Sequence, residues 1–373
     1  MRVCMLTCVY PPYGGGIGEV ARQYAALLTP EHQVTVITPR YYPGMTFAAT
    51  PGVTIKPMRP LFSWGKAAWL VHLTKTLSQY DAVHLHYPFF GVHERLHKLP
   101  AKVKLVLTYH MLPQGEGLKG ALMKFSRHYA NPRLSRRANL MTVATRDYLE
   151  TVALLEMGEP DKWRVVPFGV DERFQPGEES DKLTRQFNIR FGEVVILFVG
   201  TLDQAHYFKG LSVLLKAVAK LKSQNWKLIV VGGGGMRHHY ERQARALKLG
   251  KRVAFAGYVP VAALPEYYRL ASLFVLPSVN EAEAFGLAAL EAMATGLPVI
   301  ASRLPGVREL VPHGASGLLV PPNDTLALAA AIESLLVSAD ERYKLGQNAL
   351  ARVQANYRWS AVGQKLLDSY RSL

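Results

Sequence analysis

The sequence has few of the features that mark secreted or membrane-spanning proteins. Only Cys4 and Cys8 are cysteines among its 373 residues. Both are predicted on one face of a first strand over Arg2–Val9, where they cannot bridge. No apolar run reaches the roughly 18 residues of a membrane-spanning helix, and the N-terminal apolar stretch meets Pro11 too early for a signal peptide. We therefore expect a folded cytoplasmic protein with reduced thiols.

Acidic residues are also scarce, at 28 against 44 Lys and Arg, which gives a net charge of +16. The imbalance is greatest from Arg95 to Arg146, where eleven basic residues face one acid, Glu116. Such a stretch suits peripheral contact with anionic lipid on the inner face of the plasma membrane; a merely solvated helix face is the alternative. No nucleic-acid-binding motif accompanies the charge, so nucleic acid is not an expected partner. Its densest part contains Lys119, Lys124, Arg127, Arg133, Arg136 and Arg137.

Strand-like apolar runs alternate with amphipathic segments along the whole chain. This alternation predicts an α/β protein with two doubly wound, Rossmann-like parallel-sheet domains. A polar stretch between Phe174 and Asn188 interrupts the pattern, so we predict domains over residues 1–175 and 176–356, with a final helix in 357–373 returning to the first. Ligands of such sheets bind at the carboxyl ends of the strands, which favours a site in a cleft between the domains.

The clearest chemical signal is the segment from Pro277 to Val299, which reads as strand, loop and helix. We predict the helix over Ala284–Thr295, and its entry has free backbone amides and a favourable dipole for an anion. Glu283 and Glu291 flank this entry and can accept hydrogen bonds from hydroxyl groups. A sugar nucleotide carries both kinds of group, whereas the alternative is a surface helix with two solvated glutamates.

Three further positions combine a strand end with a chemically useful residue. Gly15 and Gly16 follow the first strand and allow close approach to phosphate. Lys209, after the first strand of the second domain, could neutralise a departing diphosphate. His110 also ends a strand. His84 and His86 share a strand face, but without a matching third ligand we favour hydrogen-bonded strand ends over metal ligands.

The segment from Glu283 to Glu291, between LFVLPS and EAMATGLPVIAS, resembles the Glu-x7-Glu motif of glycosyltransferase family 4. Members of this family retain anomeric configuration and have the GT-B fold, in which two Rossmann-like domains face each other across a cleft. The resemblance covers nearly the whole chain. It implies that the first domain binds the acceptor and the second binds the nucleotide-sugar donor.

The resemblance also implies roles for single residues. Glu283 would contact sugar hydroxyls, Glu291 the ribose, Lys209 the diphosphate, and His110 the sugar near the reacting carbon. The sequence departs from the family pattern at Thr201, where arginine is usual, and at Phe168, where asparagine is usual; His206 is a possible substitute for the missing arginine. The remaining donor-binding residues implied are Gly15, Gly16, Tyr258, Ala284, Phe285, Gly286 and Leu287.

We therefore predict a retaining hexosyltransferase that uses a nucleoside-diphosphate sugar of the UDP-glucose or GDP-mannose type. The acceptor would be a sugar or a lipid-linked molecule in glycolipid or polysaccharide synthesis. Neither a cofactor nor a metal is expected, because Lys209 and the helix dipole would replace the cation. The alternative is a non-catalytic protein that binds sugar nucleotides or nucleic acid. The sequence does not indicate an oligomeric state.

Overall fold

The computed structural model describes residues 1–12, 15–112, 117–151 and 159–373. These residues form two compact units, each built on a parallel sheet. One unit contains Met1–Gly169 and Trp359–Leu373, and the other contains Val170–Arg358. The sequence placed the corresponding boundaries after residues 175 and 356.

The N-terminal unit has a seven-stranded parallel sheet in the order β3-β2-β1-β6-β7-β8-β9. Its central strands are buried over their whole length, as in Ala82–Tyr87, because helices cover both faces. The strands are β1 Arg2–Leu6, β2 Gln33–Pro39, β3 Val53–Met58, β6 Ala82–Tyr87, β7 Lys104–Tyr109, β8 Leu140–Val143 and β9 Trp163–Val165; a separate antiparallel hairpin pairs β4 Phe62–Trp64 with β5 Ala67–Trp69.

The helices of this unit are α1 Gly16–Leu28, α2 Leu73–Leu77, α3 Gly117–Arg137, α4 Arg146–Thr151 and the C-terminal helix Trp359–Arg371, with 3-10 helices at His93–Lys98 and Pro160–Lys162. The C-terminal helix packs on α1, and Tyr24 meets the edge of Trp359 at a ring-centroid distance of 6.0 Å. Both cysteine thiols are free and buried. Cys8 lies beyond the end of β1, so the prediction of one strand through Val9 was wrong.

The C-terminal unit has a six-stranded parallel sheet in the order β12-β11-β10-β13-β14-β15. Its strands are β10 Val194–Val199, β11 Trp226–Val231, β12 Val253–Gly257, β13 Leu273–Leu276, β14 Val299–Ser302 and β15 Gly317–Val320. Its helices are α5 Asp181–Gln186, α6 Leu211–Val218, α7 Arg237–Ala246, α8 Leu264–Leu270, α9 Leu287–Ala294, α10 Val307–Leu310, α11 Thr325–Val337 and α12 Ala339–Asn356, with 3-10 helices at Gln204–Lys209 and Gly250–Arg252.

The core of the C-terminal unit lies between this sheet and the helices that pack on it. Strand residues such as Phe198 and Trp226 are fully buried, and so are Leu214 of α6 and Ile332 of α11. Burial of such side chains is the main stabilising contribution to a unit of this size. No described helix is long and apolar enough to cross a membrane.

Candidate active site

The loops that follow the strands of the C-terminal sheet meet at one edge, because all six strands are parallel. Residues predicted to bind the donor follow three of the strands at this edge. Thr201, His206 and Lys209 follow β10, Tyr258 follows β12, and Glu283, Ala284, Phe285, Gly286 and Leu287 follow β13, with Glu291 inside α9.

Two of these loops are fixed against each other by their backbones. The amide of Val279 donates a hydrogen bond of 2.8 Å to the carbonyl oxygen of Phe208. Gly210 has a φ of +75° at the start of α6, and a Cβ at that position would collide with the carbonyl oxygen of Pro277. Only glycine fits there. The loop with Lys209 and the loop with Glu283 therefore have a defined relative position.

Lys209 and Glu283 form an ion pair at the centre of this edge. Lys209 Nζ lies 2.6 Å from Glu283 Oε2, and the Ser278 hydroxyl donates to the same oxygen over 3.0 Å. Glu283 is 5% exposed. The other carboxylate oxygen, Glu283 Oε1, has no hydrogen-bond partner among the described residues. It can therefore accept a hydrogen bond from a ligand hydroxyl. The pair places an ammonium group and a carboxylate acceptor side by side.

Helix α9 begins after Glu283 rather than at it. Its first residue is Leu287, and its N-cap is Gly286 with a φ of +88°. The prediction of a helix from Ala284 was therefore wrong: Glu283, Ala284 and Phe285 belong to the preceding buried loop. Because first-turn amides have no partner within a helix, the amide of Leu287 is a donor for an anion.

Glu291 lies on α9 and is held by a residue that the sequence did not single out. The hydroxyl of Tyr268, in α8, donates to Glu291 Oε2 over 2.7 Å. Tyr268 is fully buried, and burial together with the Glu291 charge raises the pKa of its hydroxyl well above the usual value. Tyr268 therefore remains a donor and fixes the carboxylate of Glu291.

The glycine run Gly232–Gly235 after β11 is a second feature that the sequence analysis missed. Its backbone crosses the loop after β10: a Cβ at Gly232 would collide with the carbonyl oxygen of Gly200, and one at Gly234 with the backbone of Leu202. A Cβ at Gly233 would lie 3.2 Å from that of Tyr258. Four successive glycines directly after a buried strand are the signal that could have revealed this close packing.

The other predicted residues of this edge differ in how firmly they are held. His206 Nδ1 lies 2.6 Å from Asp203 Oδ1, and this carboxylate also caps the 3-10 helix by accepting from the His206 amide. Thr201 is exposed at the end of β10. Tyr258 is 72% exposed, so its ring is available to a planar ligand.

In the N-terminal unit, Gly15 is the N-cap of α1 with a φ of +136°, and Gly16 is the first helical residue. A Cβ at Gly15 would lie 3.5 Å from the ammonium nitrogen of Lys66, a residue of the turn between β4 and β5. The structure therefore adds a cation to the predicted phosphate turn. No sequence signal connects Lys66 with Gly15, because the hairpin that carries it was not predicted.

His110 follows β7 and is buried in a row of histidines. Its ring stacks on Phe168 with centroids 4.9 Å apart, so the residue that departs from the family pattern packs on the histidine. His110 Nε2 lies 2.8 Å from His86 Nδ1, and His86 Nε2 lies 3.0 Å from Met5 Sδ. Burial lowers the pKa of His110 to about 3 and that of His86 well below its usual value, so both rings are neutral.

These contacts define which nitrogen of each ring carries the proton. A thioether sulfur only accepts, so His86 carries its single proton on Nε2 and its Nδ1 accepts. His110 must then donate from Nε2 to His86, which leaves the Nδ1 lone pair of His110 as an acceptor. His86 is thus a positioning residue for His110.

His84 is hydrogen-bonded rather than arranged as a metal ligand. Its Nε2 lies 2.6 Å from Thr108 Oγ1, and its Nδ1 lies 2.8 Å from the hydroxyl of Tyr370 in the C-terminal helix. Within the described parts of the chain, no three His, Cys, Asp or Glu side chains are grouped as a metal site. The predicted hydrogen-bonded interpretation of His84 and His86 is confirmed.

The predicted basic surface lies mainly on α3. Lys124, Arg127, Arg133 and Arg136 are exposed, whereas the side chain of Lys119 lies outside the described residues. Arg137 differs from the rest, because its guanidinium donates to carbonyl oxygens outside α3, those of Leu99, Pro100 and Val103. Arg137 therefore ties the helix to the neighbouring loop instead of facing a partner.

Comparison with known proteins identifies the family. Residues 14–174 match the model of Glycosyltransferase Family 4, and residues 179–352 match that of Glycosyl transferases group 1. A D-inositol 3-phosphate glycosyltransferase of Corynebacterium glutamicum is 31% identical over an alignment of 309 positions, and the alignment covers 78% of this chain and 72% of that protein. The chain belongs to glycosyltransferase family 4.

Solved structures place this family 4 enzyme in the GT-B fold. Sucrose-phosphate synthase from Thermosynechococcus elongatus superposes with a TM-score of 0.81 at 25% identity, covering 100% of this chain and 98% of the other. HepE of Anabaena in complex with UDP gives a TM-score of 0.80 at 21% identity over the full length of both chains, which establishes a shared fold alone. The prediction of two Rossmann-like parallel-sheet domains is confirmed.

Proposed function

We propose that the enzyme is a retaining hexosyltransferase whose donor is a nucleoside-diphosphate sugar of the UDP-glucose or GDP-mannose type. The Lys209–Glu283 pair carries this proposal. Glu283 Oε1 would accept a hydrogen bond from a sugar hydroxyl, while the Lys209 ammonium and the Leu287 amide would stabilise the diphosphate. Glu291, held by Tyr268, would accept hydrogen bonds from the ribose hydroxyls. The sugar nucleotide is supported further by HepE of Anabaena, which was solved with UDP and with UDP-glucose.

In the N-terminal unit, we propose that Gly15 and Gly16 bind a phosphate group through the amides at the start of α1. We propose that His110 accepts a hydrogen bond from the sugar through its Nδ1. Both assignments rest on the resemblance to the family and on the positions of these residues at strand ends.

The proposed chemistry needs no protein base. The acceptor oxygen forms a bond to the anomeric carbon on the face that the diphosphate leaves, and the leaving phosphate oxygen takes the acceptor proton. The Lys209 charge stabilises the negative charge that develops on the diphosphate. We therefore expect turnover to be independent of added divalent metal. Activity lost on treatment with EDTA and restored by Mg²⁺ or Mn²⁺ would contradict this part of the proposal.

The acceptor is proposed to be a sugar or a lipid-linked molecule in glycolipid or polysaccharide synthesis. A peripheral position on the cytoplasmic membrane face is supported by the exposed cations of α3, Lys124, Arg127, Arg133 and Arg136. Flotation of the enzyme with anionic liposomes tests this location. If the enzyme does not bind anionic liposomes at low salt, the cations of α3 no longer support a membrane location.

One experiment tests the donor site directly. Thermal unfolding is measured with UDP-, GDP- and ADP-sugars, because a bound donor stabilises the folded state. Hydrolysis of the best donor is then compared between the wild type and Glu283→Ala, with Glu178→Ala, an exposed glutamate of the same unit, as the control. We expect Glu283→Ala to abolish hydrolysis and Glu178→Ala to leave it unchanged. Near-normal turnover in folded Glu283→Ala would refute the site.

A further inference from the structure

The hairpin of the N-terminal unit and the residues next to it expose five large apolar side chains to solvent. We define the hairpin surface as residues 61–71, which comprise β4, β5 and the residues next to them. Exposed apolar clusters of this kind in soluble proteins mark interaction sites. The exposed fractions are 75% for Leu61, 67% for Phe62, 52% for Trp64, 46% for Trp69 and 39% for Val71.

The hairpin surface is held firmly by the rest of its unit. The amide of Ala68 donates to the carbonyl oxygen of Phe90 over 3.0 Å. Arg95 donates to the carbonyl oxygen of Leu70 over 3.0 Å, and its guanidinium stacks over the Trp69 ring at 4.1 Å. The aromatic side chains are therefore presented by a fixed backbone, and a partner would not have to order this segment first.

The chain on either side of the hairpin surface carries positive charges and no acidic residue. Residues 32–80 contain no Asp or Glu, and their five Lys and Arg are all exposed. None of the five forms an ion pair within the described chain. Two of them, Arg40 and Arg59, line one groove of about 530 Å³ together with Tyr42 and Phe62. The other three are Lys56, Lys66 and Lys75.

This combination of groups points to one kind of partner. Aromatic and aliphatic side chains beside unpaired cations match a bilayer surface, where rings enter the headgroup region and Lys and Arg meet anionic lipid. A soluble glycan would stack on the rings but would leave Leu61 and Val71 exposed to water. We propose that the hairpin surface inserts into an anionic membrane, with lipid phosphates contacting Arg40 and Arg59.

The hairpin surface and α3 contact the same short segment. The 3-10 helix His93–Lys98 binds the hairpin through Arg95, and it binds α3 through Ser126, whose hydroxyl lies 2.9 Å from Glu94 Oε1 and 3.1 Å from His93 Nε2. Exposed Phe125 and Tyr129 of α3 stack on each other at 5.6 Å. The proposal thus adds an inserting hairpin to the basic helix, and it does not depend on glycosyl transfer.

The first test is vesicle flotation of the full chain without nucleotide. The vesicles contain phosphatidylcholine either alone or mixed with phosphatidylglycerol. We expect binding only to the anionic mixture, and we expect Phe62→Ser combined with Trp64→Ser to weaken it about tenfold because apolar area is lost from the membrane. The control, Phe191→Ser with Tyr343→Ser, removes two rings of the other unit that are more exposed than Phe62 and Trp64, and it should bind like the wild type.

The second test measures insertion. Lipids brominated in their acyl chains should quench tryptophan fluorescence of the bound enzyme, and Trp64→Phe should reduce the quenching while binding persists. Equal binding by the hairpin variant and the wild type, or unchanged quenching in Trp64→Phe, would overturn the proposal.

A third comparison separates the membrane from a glycan. If no vesicle binds but the hairpin variant loses transfer to a water-soluble acceptor, the surface binds glycan instead and the proposal fails. Donor hydrolysis and the unfolding temperature of each variant, expected to equal those of the wild type, show that the fold and donor site are intact.

Discussion

Lys209 Nζ lies 2.6 Å from the buried carboxylate of Glu283, and the two residues come from loops 74 positions apart. The contact links the residue proposed for the diphosphate to the residue proposed for the sugar. Removing either partner leaves the other without its counter-charge in a largely buried position. The pair therefore contributes to stability as well as to the proposed chemistry.

This coupling predicts the outcome of a double-mutant cycle. We expect Lys209→Met to lower the free energy of unfolding by about 3 kcal/mol, because the buried Glu283 charge becomes unpaired. Lys209→Met with Glu283→Gln should recover most of that loss, since no unpaired charge remains. Chemical denaturation of the two single variants and the double variant measures the coupling. Strictly additive losses would show that the ion pair is energetically unimportant.

Tyr268 should influence donor binding without touching the donor. Tyr268→Phe keeps the buried ring but removes the hydroxyl that positions Glu291. We expect KM for the donor to rise about tenfold, in line with the loss of a hydrogen bond to a charged group, with a smaller change in kcat. The neighbouring Tyr267→Phe is the control, because the Tyr267 hydroxyl makes no hydrogen bond to described residues. An equal KM effect in both variants would point to repacking of α8 instead.

The histidine row predicts a specific tautomer. Nitrogen-15 NMR should show His110 protonated on Nε2 and His86 protonated on Nε2 as well. His86→Phe removes the acceptor for His110, and we expect kcat/KM to fall at least tenfold because the ring is no longer held. Met5→Leu should let His86 exchange tautomers at little cost in stability. Protonation of His110 on Nδ1 in the wild type would refute the assignment.

Buried neutral histidines also make stability depend on pH. Burial lowers the pKa of His84 and His110 from 6.5 to about 3 and that of His86 far below 6.5. Below pH 6.5 the unfolded chain therefore binds protons that the folded chain does not, and stability falls as the pH falls. Each histidine should contribute about 1.4 kcal/mol per pH unit.

Calorimetry at pH 7, 6 and 5 measures this dependence. His84→Gln should reduce the slope of stability against pH by the contribution of one proton. A slope equal to that of the wild type would show that His84 is not neutral in the fold.

The buried strands could be predicted from the sequence, because parallel strands that are covered on both faces consist of uninterrupted apolar residues. Val194–Val199 and Leu273–Leu276 have the predicted bounds. The edge strand Val53–Met58 was not predicted, because it contains a proline and alternates between exposed and partly buried residues. The β4–β5 hairpin was missed as well, since each of its strands has three residues.

Residues of the candidate site could be predicted from the sequence only where they belong to a local motif or directly follow a strand. The motif from Glu283 to Glu291 can be read directly, and Lys209 follows from its place after a strand. Tyr268 and Lys66 could not be found in this way, because they reach the site residues through tertiary packing. The helix start was misplaced because Ala284 and Phe285 are good core residues in either conformation, and only the positive φ of Gly286 settles the boundary.

The return of the chain to its first unit has a consequence for synthesis in the cell. Val362, Leu366 and Tyr370 of the C-terminal helix are buried, and α1 is its packing partner. A ribosome delivers residues 1–169 first, yet Trp359–Leu373, which belong to the same unit, are made only after the whole second unit. The second unit can thus complete its folding before the first, and the apolar face of α1 that this helix covers is exposed to aggregation until then.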